Sequence, residues 1–168
     1  MGNLHVRIDD RLIHGQIVAS WARSLNIRSI IAVDNEMAHN AMIKDILLMG
    51  VPKEFDPQII SEDMLEEALQ ENLKSKNVLL ITRFAKNLKN LSAQVMLATE
   101  VNIGNCSKQA DSVYISKGIG VGQVLSFSQE DIDVLDSLQE NGIKIITQQM
   151  PSDKEINWST LKKNLKKL

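Results

Sequence analysis

Between Arg7 and Gln16 the chain reads Arg-Ile-Asp-Asp-Arg-Leu-Ile-His-Gly-Gln, which sets the carboxylates of Asp9 and Asp10, the guanidinium of Arg11 and the imidazole of His14 within six residues. A plain connection from a strand to a helix needs far less polarity. His14 stands where a helix should begin, next to backbone N–H groups that no helical carbonyl satisfies, and Gly15 removes a side chain that would keep an anion away. A phosphate would be held there by those amides and by Arg11. A neutral imidazole nitrogen is a good nucleophile toward phosphorus, and the phosphoramidate it forms can pass the group on. Because the transition state is loose and spreads charge over three equatorial oxygens, positioned donors supply most of the catalysis. Asp9 or Asp10 would orient Arg11 or hold the unreactive ring nitrogen of His14, and the residues alone leave that choice open. The ordinary reading of the same residues is a helix start preceded by a solvated Asp-Asp-Arg turn.

The stretch RIDDRLIHGQI closely resembles the active-site loop of the sorbose/mannose-type IIB components of the bacterial phosphoenolpyruvate-dependent sugar phosphotransferase system. Val33-Asp34-Asn35-Glu36-Met37-Ala38, Val101-Asn102-Ile103-Gly104-Asn105 and the run from Gly142-Ile143 to Pro151-Ser152-Asp153 are similar to later segments of that family, so the likeness covers essentially the full length. It implies that His14 carries the phosphoryl group; from the residues themselves Arg11 is read as a catalytic partner, and Gly15, Gln16, Asp9 and Asp10 as support for the phosphate. It also implies a IIA phosphohistidine as donor, membrane IIC and IID components as partners, and a sugar held by the membrane partner as acceptor. No cofactor and no metal are expected. The protein would then work in the cytoplasm, peripherally associated with the membrane permease.

Other polar groups fit less well. Asp34, Glu36 and His39 have the outline of a metal site, but no further His or Cys joins them, and His5 lies within an expected strand. Gly118-Ile119-Gly120-Val121-Gly122 matches neither a dinucleotide fingerprint nor a Walker A loop and is expected to form turns, with approach to His14 as the alternative. Arg83 follows a strand and would share the edge of His14 if the strand order allows. Lys162, Lys163, Lys166 and Lys167 form a basic face that reads as solvated rather than membrane-bound, and Cys106 as a bystander. A receiver domain also has acids after its first strand, but it needs a phosphorylatable Asp where Arg83 stands. A module that only binds a phosphorylated ligand would need the amides and Arg11 but not His14. Leu12 and Ile13 are expected to rim the histidine and dock a protein donor.

The elements that must position these groups follow from patterning. With 168 residues, 43% hydrophobic and 24% charged, the chain is sized for one domain, 1–168, with a real core. A net charge of −2 argues against a nucleic-acid-binding surface, and a single cysteine excludes an internal disulfide framework. No apolar run approaches the ~18 to 20 residues of a membrane span, and no secretory leader is visible, so a soluble protein is expected. Short β-branched runs at Leu4–Ile8, Ser29–Val33, Gln58–Ile60, Val78–Thr82, Val101–Ile103, Val113–Ile115 and Ile143–Thr147 read as strands. Between them lie amphipathic patterns. Ile17, Val18, Trp21 and Leu25 form one stripe, and Met42, Ile43, Ile46, Leu47 and Met49 a second. A third helix opens at Ser61, a fourth spans Ala85–Ala93, a fifth runs from Ser128 to Asn141-Gly142, and a last spans Ser159–Lys167. This alternation predicts an α/β fold in three layers, an open, mostly parallel twisted sheet with helices on both faces.

Overall fold

The computed structural model describes residues 1–118 and 122–168, leaving aside the side chains of Gln16 and Ile17. Its central sheet is built on β1 (Leu4–Ile8) and β4 (Asn77–Thr82), whose alternating side chains feed two different cores. Leu4, Val6, Ile8, Val78 and Leu80 are buried on one face, Leu79 and Ile81 on the other. Flanking them are β2 (Ile27–Val33), β3 (Pro57–Ile60), β5 (Ala98–Ile103), β8 (Ile145–Thr147) and the short β9 (Ile156–Asn157). The strand order is β3-β2-β4-β1-β5-β8-β9, parallel throughout except for β9, which runs antiparallel to β8. From β1 the chain moves to one side of the sheet, and after β4 it crosses to the other. The carboxyl end of β1 therefore lies at the reversal point, where an open α/β sheet forms its crevice.

Helix α1 (Gly15–Ser24) covers one face with Val18, Trp21 and Ala22. The opposite face is covered by α4 (Leu65–Asn72), α5 (Ser92–Val95), α6 (Gln129–Glu140) and α7 (Trp158–Lys163), through side chains such as Leu69, Val95, Leu135 and Leu161. Trp158 is fully buried, meets Phe127 edge-on with ring centroids 5.5 Å apart, and donates its indole N–H to Asp136 at 2.8 Å. α6 begins and ends as its sequence predicts. Ser128 and Asp131 form a reciprocal capping box, and Gly142 takes φ +90° just past the end, a conformation that L side chains rarely adopt.

Several expectations are corrected. The segment expected as a helix over Ala85–Ala93 is a 3-10 turn, Ala85–Lys89, followed by the single turn of α5. Its start is fixed from outside, because Asp131 accepts the Lys86 amide at 2.8 Å. The run at Val113–Ile115 does not join the main sheet. It becomes β6 (Tyr114–Lys117) in a separate antiparallel sheet between β7 (Val124–Phe127), which the patterning did not reveal, and β10 (Lys166–Lys167). The last helix accordingly stops at Lys163, and its tail pairs with Tyr114 and Ile115 instead. Ser61 makes no capping bond to the amides of the 3-10 turn at Glu62–Met64, and its hydroxyl donates to Asp63.

The second apolar stripe is the largest departure. In α3 (Ala41–Met49), which follows the one-turn α2 (Asn35–Ala38), only Leu47 and Leu48 reach the core, while Met42, Ile43, Ile46 and Met49 are exposed. The helix flanks β3 at the rim of the sheet, where among the described residues no further element covers its outer side.

Candidate active site

The loop after β1 is bent sharply before α1. The Leu12 amide donates to the Asp9 carbonyl at 2.9 Å, and Leu12 itself adopts φ +52°, a left-handed conformation unusual for a bulky residue. Leu12 and Ile13 are buried at 2% and 1% exposure, so the expectation that they rim the histidine is overturned. They are anchors, packed in the core beneath α1. With both apolar residues turned inward, Arg11 and His14 are left facing out, with 36% and 23% of their side chains exposed. His14 is the N-cap of α1, in extended conformation, and its side chain makes no capping bond. The ring is thus spared for other contacts, and the first-turn amides of α1 remain available to an anion.

Asp9 organises this loop. Its side chain is buried, at 1% exposure, and Oδ1 accepts hydrogen bonds from the Arg11 amide at 3.2 Å and from Arg11 Nε at 3.0 Å. Oδ2 accepts from Arg11 Nη2 at 3.1 Å and Arg7 Nη2 at 3.3 Å, and lies 3.3 Å from His14 Nε2. Burial alone would push the Asp9 carboxyl up. The hydrogen bonds from His14 and Arg11 and the charge of Arg7 outweigh it and hold the carboxyl well below the usual carboxylate range. An ionised carboxylate only accepts, so the proton shared with His14 belongs to Nε2, and the lone pair of a neutral ring is on Nδ1.

Asp10 faces elsewhere. It accepts from Asn105 Nδ2 at 2.9 Å and from the Ser107 amide at 2.8 Å, tying the loop after β1 to the loop after β5. Gly15 is exposed, and a methyl group there would meet nothing closer than the Gly50 carbonyl at 4.0 Å. Gln16 lies in the first turn of α1, but its side chain is outside the described residues. Ile119, Gly120 and Val121 of the glycine-rich loop are outside them too.

Sequence reasoning missed Arg7. It is 2% exposed, lies 5.0 Å from the centroid of the Trp21 ring, and donates to the Gln148 and Gln149 carbonyls, both at 3.1 Å. Its neighbour in register on β5 is Asn102, whose side-chain oxygen accepts from Nη1 at 3.4 Å. A legible signal existed, since Arg7 interrupts a largely apolar strand and Asp9 follows two residues later, just past its end.

The remaining candidates stand apart from His14 in their contacts. Arg83 does share the sheet edge, since β4 neighbours β1, but it faces Asp34 at 3.6 Å. His39 Nδ1 is 2.6 Å from the Asn35 carbonyl, and His5 Nδ1 is 3.1 Å from the Thr99 hydroxyl. Among the described residues no group of three or more His, Cys, Asp or Glu is arranged to hold a metal ion. Burial pushes the Cys106 thiol up, an unreactive state. Lys162 pairs with Asp136 at 2.5 Å on an exposed face.

The chain is also similar to known proteins. A sequence profile described as "PTS system sorbose subfamily IIB component" matches residues 4–168. The fructose-specific EIIB component of Bacillus subtilis is 25% identical over 162 residues, covering 96% of both chains. The mannose-specific EIIAB component of Escherichia coli is 23% identical over 156 residues, 92% of this chain but only 46% of that longer protein. The crystal structure of the IIBSor domain of the sorbose permease from Klebsiella pneumoniae superposes with a TM-score of 0.80 over 97% of this chain and 98% of that one. At 21% identity this last likeness speaks for the fold alone, an α/β architecture with a mostly parallel sheet.

Proposed function

This chain belongs to the sorbose-subfamily IIB components of the sugar phosphotransferase system, and from that premise we propose that it carries a phosphoryl group on Nδ1 of His14. The observation that supports this most is the Asp9 contact, which occupies Nε2 and leaves the opposite nitrogen to attack. The Nδ1 lone pair forms a bond to phosphorus as the P–N bond to a IIA phosphohistidine breaks. No proton has to move, because Nε2 keeps its own and the cation formed on the ring faces the Asp9 carboxylate. Arg11, turned to solvent beside the ring, swings a charge-assisted donor onto the transferring oxygens, and the amides at Gly15 and Gln16 cradle the remainder. Asp10 holds the neighbouring loop in place.

In the second half-reaction a sugar hydroxyl held by membrane IIC and IID components attacks phosphorus, Nδ1 leaves with its lone pair, and the hydroxyl proton passes to a base outside this chain. Residues 1–168 act in this reading as one domain, at the cytoplasmic side of a permease. Among the described residues no helix is long and apolar enough to cross a membrane. Neither a metal nor a cofactor is required at this step. The test is incubation with phosphoenolpyruvate and the upstream phosphotransfer proteins. The wild type should gain one phosphate by mass and His14→Ala none, and full labelling of that variant would refute the assignment.

A further inference from the structure

We infer that Arg7 is a positioning residue for this reaction: from inside the sheet it fixes the Asp9 carboxylate that selects the reactive nitrogen of His14, and Gly104 supplies the space in which it does so. The inference rests on the reading of His14 as phosphoryl carrier.

Arg7 lies on β1 two residues before Asp9, and both side chains are almost fully buried, at 2% and 1% exposure. A cation placed there for packing alone would be a poor choice, because burial lowers its pKa to about 10, well below the usual guanidinium range. One hydrogen bond of the guanidinium goes to the carboxylate oxygen that faces the histidine, and the others anchor it to β5 and to the loop after β8. Nη2 binds Asp9 Oδ2, the same oxygen that faces His14 Nε2, together with the Gln149 carbonyl, while Nη1 binds the Gln148 carbonyl and Asn102. Nε has no partner among the described residues, so the group is held by its two terminal nitrogens. Trp21 fixes the arrangement from above, donating its indole N–H to the same Gln149 carbonyl at 2.9 Å.

Gly104 is the necessary counterpart. A Cβ on this residue would lie 2.5 Å from Arg7 Nη2 and 2.7 Å from Asp9 Oδ2, closer than real Cβ contacts, so any side chain would drive the ion pair apart. Through this pair the Asp9 oxygen that faces His14 is also held by Arg7, and the carboxylate is kept from turning away. Without Arg7, Asp9 is free to swing wholly onto Arg11, and the ring loses the acceptor that keeps the proton on Nε2.

Two variants test this without a protein partner, using potassium phosphoramidate as a small donor. Arg7→Met removes the cation, and Gly104→Ala displaces the pair while keeping every charge, so one decides should the other fail to fold. In the unphosphorylated protein, long-range 15N spectra at about pH 8, where imidazole is ordinarily neutral, should show the Nε2–H tautomer of His14 in the wild type and a mixture in each variant. Loss of such an outer partner typically slows a site by roughly 10-fold to 100-fold, and His14 phosphorylation should slow by that amount. Arg7→Lys, which keeps the charge but not the fork, should fall between. A folded variant with wild-type tautomer and wild-type rate overturns the inference. Failure of the wild type to take phosphate on His14 would instead sink the carrier reading itself.

Discussion

Asp9→Asn separates what the carboxylate does for the fold from what it does for His14. The substitution is nearly isosteric, but it leaves Arg7, 2% exposed, without its counter-charge, and weakens four further contacts to Arg11 and His14. Breaking a buried ion pair from one side costs about 3–5 kcal/mol. For a domain of this size each kcal/mol moves the thermal midpoint by about 2–4 °C, so a drop of about 6–20 °C is expected. The folded Asp9 carboxyl lies below its unfolded value near ~3.9, so its stabilisation is complete above that value and is lost as pH falls toward the folded one. The gap between wild-type and variant midpoints should therefore hold steady from about pH 5 upward and close below about pH 4. Phosphoryl acceptance should fall by about 100-fold or more through loss of the orienting anion, short of the ~10⁴ of a fully enclosed pair, because the His14 ring is partly solvated. Differential scanning calorimetry across pH, paired with rapid-quench labelling, reads both effects. A midpoint within about 1 °C of wild type at neutral pH would refute the buried-pair argument.

Arg11→Ala should slow transfer by about 10²-fold to 10³-fold while shifting the midpoint little, because its guanidinium is more than a third exposed; an unchanged rate in quenched-flow labelling would remove it from the reaction. Ile13→Asp and Leu12→Asp should impair folding rather than docking, since both residues are buried, and circular dichroism should show large losses of stability. ATP alone should not label the chain, which has no Walker A sequence, and stoichiometric labelling without a partner would contradict a protein donor. The phosphoprotein should be acid-labile, alkali-stable and independent of Mg²⁺; a hydroxylamine-sensitive product that forms only with Mg²⁺ would favour an acyl phosphate.

The fold class and the first loop were legible because both depend on local pattern. β-branched runs alternate with helical stripes, and the polar groups of Arg-Ile-Asp-Asp-Arg-Leu-Ile-His-Gly-Gln crowd a position where topology places a crevice. What stayed hidden depends on contacts remote in sequence. Which of Asp9 and Asp10 faces the histidine is decided by Arg7 on β1 and by Asn105 and Ser107 in the loop after β5, some 95 residues away. The left-handed turn at Leu12 buries two residues that solvent-facing logic would place outside. Hydrophobic periodicity marked the α3 stripe, but periodicity says only that a face is apolar, and at the sheet rim no element among the described residues lies over Met42 or Ile46. The small sheet of β10, β6 and β7 joins segments some fifty residues apart, and its two-residue β10 carries no pattern long enough to read.

The most direct test of the central claim is to locate the phosphate on the chain after transfer from a phosphorylated IIA protein, by two-dimensional NMR of the 15N-labelled imidazole rings combined with mass spectrometry under alkaline conditions. The structure predicts one phosphate, on Nδ1 of His14, with Nε2 still protonated against Asp9. Phosphate on Nε2, on His5, on His39 or on any non-histidine residue would contradict it.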